Sequence, residues 1–171
     1  DASTIGDAIH FSLQEHYPLG LLTENFLKDN RSKIINSLTT NFQELISKDG
    51  IKRGKNYLSL EIAKKLIKDF LNSEISFLES LEKNNNTIEI LEKEKELFYS
   101  LTVEDIDFYL TGKIDRVDLI GDNQLRIIDY KTGRVEKSEL IFSNYDELIN
   151  DINKSKAFQL IMYSYLYLQL N

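Results

Sequence analysis

The chain has 171 residues, 42% hydrophobic and 29% charged, with a net charge of −7; this is the make-up of a soluble globular protein with a sizeable core. It contains no cysteine, which excludes disulfides, thiolate zinc sites and cysteine nucleophiles and fits a reducing, cytoplasmic compartment. No apolar run approaches the length of a membrane span, no signal peptide is visible, and the acidic balance on its own argues against nucleic-acid binding, which usually needs a basic footprint.

Thr4 to Tyr17 reads as a helix, with Ile5, Ile9 and Leu13 at helical spacing, and Pro18 and Gly20 break it. Glu24 to Ser47 is helical on Phe26, Ile34, Ile35, Leu38, Phe42, Leu45 and Ile46, with a candidate interruption at Asp29-Asn30. Lys48 to Lys55 is a loop, and Leu58 to Glu82 a long helix on the stripe Leu58, Ile62, Leu66, Phe70, Ile75 and Leu78. Thr87 to Val103 reads as a strand whose Glu92, Glu94 and Glu96 turn outward. Phe108 to Ile120 and Gln124 to Thr132 form a hairpin around Gly121-Asp122-Asn123, with Asn123 in the left-handed position. Ser138 to Asn153 is irregular with a helical portion around Tyr145 to Ile152, and Ser155 to Leu170 is a closing helix, apolar nearly all round and so expected to be largely buried. The pattern is a single domain over 1–171, with a helical part over about 1–86 and a strand-containing core over about 87–171. The missing initiating Met and the apolar end LYLQLN are what a domain cut from a longer chain would show.

The acidity is local. It concentrates between Ser73 and Asp107, whereas Thr111 to Lys137 carries Lys113, Arg116, Arg126, Lys131, Arg134 and Lys137 against five acids. Within that balanced stretch lies IIDYKTG, Ile127 to Gly133. Side chains alternate along a strand, so Asp129 and Lys131 share a face and Tyr130 takes the other. A carboxylate there can hold a divalent cation, and an ammonium can orient an attacking water or steady developing negative charge. A three-residue loop at 121–123 sets Asp115 directly opposite Asp129. Opposed like charges destabilise a sheet, and a shared cation turns the repulsion into ligation. The plain alternative is that Asp115 pairs with Arg116 or Lys113, and Asp129 with Lys131, as solvated strand charges.

Four segments occur in order: GDAIH (Gly6 to His10), GKIDRVD (Gly112 to Asp118), IIDYKTG and QLIMY (Gln159 to Tyr163). Together they resemble the RecB-type nucleases of the PD-(D/E)xK superfamily, found at the C-terminal end of bacterial helicase–nuclease subunits and in related exonucleases. The resemblance covers nearly the whole chain. It implies an α/β, restriction-endonuclease-like fold: a mixed sheet flanked by helices, core order αβββα(β), with the last core strand past Asn171. It also implies that His10, Asp115, Asp129 and the main-chain carbonyl of Tyr130 bind Mg²⁺ or Mn²⁺. Lys131 would orient the hydrolytic water, and Gln159 and Tyr163 would touch the nucleic acid or hold the lysine. Arg116 would contact a phosphate or neutralise Asp118. Some family members pin their ends together with a four-cysteine iron–sulfur cluster; with no cysteine here, none is expected.

The implied function is a metal-dependent DNA nuclease, an exonuclease of repair and recombination, working on DNA with a helicase domain or subunit and no membrane. The alternative is an inactive nuclease-like domain that binds DNA or braces a helicase. A serine acyl-transferase reading, from the KTG at Lys131-Thr132-Gly133 and the S-x-x-K at Ser80 to Lys83, fails: no S-D-N element exists and the chain is short for that fold.

Overall fold

The computed structural model describes residues 2–46 and 54–171. Its helices and strands are α1 (Ala2–His16), β1 (Gly20–Leu22), α2 (Glu24–Leu45), α3 (Gly54–Glu82), β2 (Ile88–Val103), β3 (Ile106–Ile120), β4 (Gln124–Ile128), α4 (Lys137–Leu140), α5 (Tyr145–Asn150) and α6 (Ser155–Leu170). The architecture is α/β, with a four-stranded sheet in the order β1-β2-β3-β4 and a helical N-terminal part. The resemblance implies a mixed sheet; the described strands are antiparallel. Most of the expected loop over Lys48 to Lys55 falls outside the described residues, and Gly54 and Lys55 already begin α3.

Two compact units share the strands: residues 1–91 with 118–126, and residues 92–117 with 127–171. In the first unit α1, α2 and α3 pack together. Thr23 caps α2 by accepting the Phe26 N–H at 3.1 Å, and the helix runs through Asp29-Asn30 without interruption. It buries Leu27, Ile34, Leu38 and Phe42, a single helical stripe. The long helix α3 corrects the sequence reading. Ile75 and Leu78 are buried as expected, but in the first part of the helix the buried stripe is Leu60, Ala63, Ile67 and Leu71, while the expected Leu58, Ile62 and Leu66 are exposed. Both stripes repeat at helical spacing, so periodicity alone could not choose between them.

The short strand β1 was also not expected. Gly20 takes a φ of +90° after Pro18 and turns the chain into Leu21-Leu22, which pair antiparallel with Glu89 and Ile88 of β2. The loop at 121–123 has the expected length, but Gly121, at φ +57°, takes the left-handed position instead of Asn123. A Cβ at 121 would also come within 2.9 Å of Asn86 Oδ1, but that exposed side chain can shift away, so it is the positive φ that favours glycine there.

In the second unit the outer parts of β2 and β3 form a ribbon closed by Glu104-Asp105, both at positive φ (48° and 62°), which suits the twist of a tight hairpin. The closing helix α6 lies on this ribbon: the Tyr165 ring meets Tyr99 edge-on at 6.1 Å between centroids. It buries only Ala157, Leu166 and Tyr167, and leaves Phe158, Tyr165, Leu168 and Leu170 exposed. The expectation of a largely buried helix is therefore corrected; one face is covered, not all of it. Lys154, buried at the start of α6, donates to the carbonyls of Ser138 and Ile141, each at 2.7 Å, and pairs with Glu147 at 3.1 Å. That one ammonium gathers the irregular segment after β4 onto α6.

Candidate functional site

Residues 114–118 of β3 are all buried, so both faces of the strand are covered there. Asp115 is 8% exposed. Its Oδ2 accepts the backbone N–H of Tyr130 at 2.5 Å, which ties β3 to the IIDYKTG segment. The regular strand β4 ends at Ile128, so Asp129, Tyr130 and Lys131 lie just beyond it, where the sequence reading extends the strand to Thr132. Asp129 and Lys131 still fall on the same side: Lys131 Nζ is 2.6 Å from Asp129 Oδ2. Tyr130 points elsewhere, and its hydroxyl accepts from Arg116 Nη1 at 3.3 Å.

Arg116 is only 1% exposed. It is a buried guanidinium that donates to the Tyr130 hydroxyl, and Asp118 pairs with Arg126.

The sequence reading missed Glu94 as a site residue and placed it with Glu92 and Glu96 as outward strand charges. In the structure Glu94 adopts φ +51° in the middle of β2. For a residue with a Cβ this conformation costs about 1–2 kcal/mol, and it breaks the in–out alternation: residues 91–95 are all half-buried. The Glu94 side chain is thereby turned in, with 12% exposure, and its carboxylate comes within 4.8 Å of that of Asp115. Lys113, two residues before Asp115, reaches Glu94 Oε2 at 2.5 Å. The hydrogen bond to Glu94 comes first in holding the Lys113 ammonium above its ordinary pKa, with Asp115 and Glu96 adding charge attraction against the cost of burial. No sequence signal marks Glu94 among the alternating acids and lysines of Glu92 to Glu96.

Gln159 and Tyr163 share a face of α6, and Gln159 Nε2 donates to the Tyr163 hydroxyl at 2.7 Å. The Tyr163 ring lies against β3 at Gly112, where a Cβ would come within 2.7 Å of the ring. Gly112 in GKIDRVD is therefore a packing requirement of Tyr163. His10 is half-buried on α1 in the first unit.

Low-exposure carboxylates and oxygen donors, with cationic side chains beside them, form a set that fits a hard divalent cation such as Mg²⁺ or Mn²⁺. No helix among the described residues is long and apolar enough to cross a membrane.

The chain is 31% identical over 121 residues to one of the subunits of the ATP-dependent helicase/deoxyribonuclease in three strains of Clostridium perfringens. The match covers 66% of this chain but only 9% of those relatives. No solved structure matches it. The profile of the PD-(D/E)XK nuclease superfamily matches residues 1–171, and the chain belongs to that superfamily.

Proposed function

We propose that the chain is the nuclease part of a cytoplasmic helicase–nuclease and hydrolyses DNA phosphodiester bonds, as an exonuclease of repair and recombination. The carrying observation is the Asp129–Lys131 pair at 2.6 Å, next to a backbone N–H that Asp115 holds. His10, Glu94, Asp115, Asp129 and the Tyr130 carbonyl are the proposed ligands of Mg²⁺ or Mn²⁺. When bound, the cation polarises the scissile phosphate and lowers the pKa of a coordinated water.

The rest falls to the chain's own groups. Asp115 fixes the main chain at Tyr130 and so aims the Tyr130 carbonyl and the Asp129 carboxylate. Lys131 offers its ammonium, 37% exposed, to orient the attacking water and to offset the charge that builds on the phosphate. Arg116 holds the Tyr130 ring from behind. Gln159 and Tyr163 present an amide and a phenol to the nucleic acid from α6.

The deciding experiment incubates the isolated domain and the full-length protein with linear and circular DNA in Mg²⁺, Mn²⁺ or chelator. Cleavage should need metal, spare circular DNA, and vanish in Asp129→Ala and Lys131→Ala. Metal-dependent cleavage that survives both substitutions overturns the assignment, and cutting of circular DNA overturns the exonuclease part alone.

A further inference from the structure

Lys113 has no place in the hydrolytic scheme, yet it makes one of the shortest charged contacts in the second unit. Its Nζ is 2.5 Å from Glu94 Oε2. Lys113 and Asp115 are two apart on β3 and so share a face. The Glu94 carboxylate lies within 4.8 Å of Asp115. The two partners differ in access. The Lys113 side chain is 53% exposed, that of Glu94 12%. The ammonium thus reaches inward from solvent on a flexible stem, while the carboxylate it touches is fixed by the left-handed backbone at Glu94.

We propose that Lys113 is a tethered counter-ion that stands in for the cation at Glu94 and Asp115 and must withdraw when the cation binds. The inference rests on the metal-binding reading of this site. Two carboxylates this close repel each other, and one positive charge at Glu94 relieves the repulsion in the metal-free fold. An oxygen that receives an ammonium at 2.5 Å cannot at the same time be a close ligand of a divalent ion, because the two cations would clash and repel. The lysine therefore lowers cation affinity while it supports the empty fold. An arginine, with its rigid fork, would hold the carboxylate in place; a lysine head with three rotatable donors releases it readily.

Calorimetric titration with Mn²⁺ on the parent, Lys113→Gln and Lys113→Arg tests this. Lys113→Gln should bind Mn²⁺ about two- to fivefold more tightly, the scale of an exposed ion pair. It should also melt lower than the parent in chelator, a gap that Mn²⁺ closes. Lys113→Arg should bind no more tightly than the parent. A second measurement needs no variant: acetylation of Lys113 by an amine-reactive ester, read by mass spectrometry, should speed up when Mn²⁺ is added. Equal or weaker Mn²⁺ binding by Lys113→Gln, or an unchanged acetylation rate in a parent that binds Mn²⁺, overturns the inference and leaves the metal site standing. A parent that binds no Mn²⁺ overturns both.

Discussion

Asp115 and Asp118 lie three residues apart on one strand, yet their surroundings resolve a buried carboxylate in two different ways. Asp118 is 0% exposed, and Arg126 grips its Oδ2 with both Nε, at 3.0 Å, and Nη2, at 2.6 Å. The same guanidinium reaches Glu74 at 3.5 Å and lies 4.6 Å over the Phe77 ring. That carboxylate is enclosed. Asp115 instead holds a backbone N–H, and two cations of its unit, Lys113 and Lys131, are 53% and 37% exposed. A planar, always-charged guanidinium stacked on an aromatic ring makes a permanent structural clamp, whereas ammonium groups on solvated stems exchange partners readily. The cation type beside each acid separates a structural cluster from a candidate reactive one.

The largest effect expected on the open side is in rate. Lys131→Ala should lower DNA cleavage by about 10²–10⁴-fold, the range of a positioned proton-handling group. Its melting temperature should stay near that of the parent, since the pair it loses is partly exposed. Single-turnover cleavage together with a thermal melt checks both. A large loss of stability with unchanged rate would place Lys131 with the structural cluster.

The contrast is sharpest when one substitution is made at both acids. Asp118→Asn removes the anion from a buried Arg126 pair and should cost about 2 kcal/mol. Asp115→Asn can still accept from Tyr130 N–H and relieves the repulsion with Glu94, so in chelator it should be neutral or stabilising by up to about 1 kcal/mol. Added Mg²⁺ should raise the Asp115→Asn melting temperature less than that of the parent. Denaturant melts of the two variants that shift equally in the same direction would erase the distinction.

Gly112→Ala sharpens the open side further. The new methyl must displace the Tyr163 ring, now 2.7 Å from where it would sit, at a cost of about 1–2 kcal/mol. If Tyr163 touches DNA, oligonucleotide affinity measured by fluorescence anisotropy should fall as well. In a Tyr163→Ala background the added methyl should then change little.

The smallest effect concerns acids that are solvated and lysine-paired. Lys156, and then the Glu136 N–H, hold the Glu139 carboxyl below the usual carboxylate range. The Ser143 N–H, and then Lys154, do the same for Glu147. Because the folded pKa is lowered, their stabilisation is fully present above the ordinary value of about 4.5 and is lost as pH falls through the lowered one. Melting temperature should therefore decline below that pH, and Glu139→Gln should flatten part of the decline.

Much of this protein is legible in its residues taken in order. Helical spacing located α1, α2 and α6, turn chemistry located the hairpin at 121–123, and the expectation that Asp129 and Lys131 share a side matches their 2.6 Å contact, although both lie past the end of β4. The order of four short motifs carried the family, which the superfamily match over residues 1–171 bears out. These are local properties, fixed by residues a few positions apart. Other features follow only from the assembled fold, because they are non-local. Which of two helical stripes of α3 is buried depends on the partner it meets, not on its own period. Whether Gly20-Leu21-Leu22 extends depends on β2 being there to pair with it. Above all, the left-handed turn at Glu94, which brings its carboxylate to that of Asp115, runs against local preference. Such a conformation persists only where the surrounding contacts outweigh its cost, and those contacts come from parts of the chain distant in sequence.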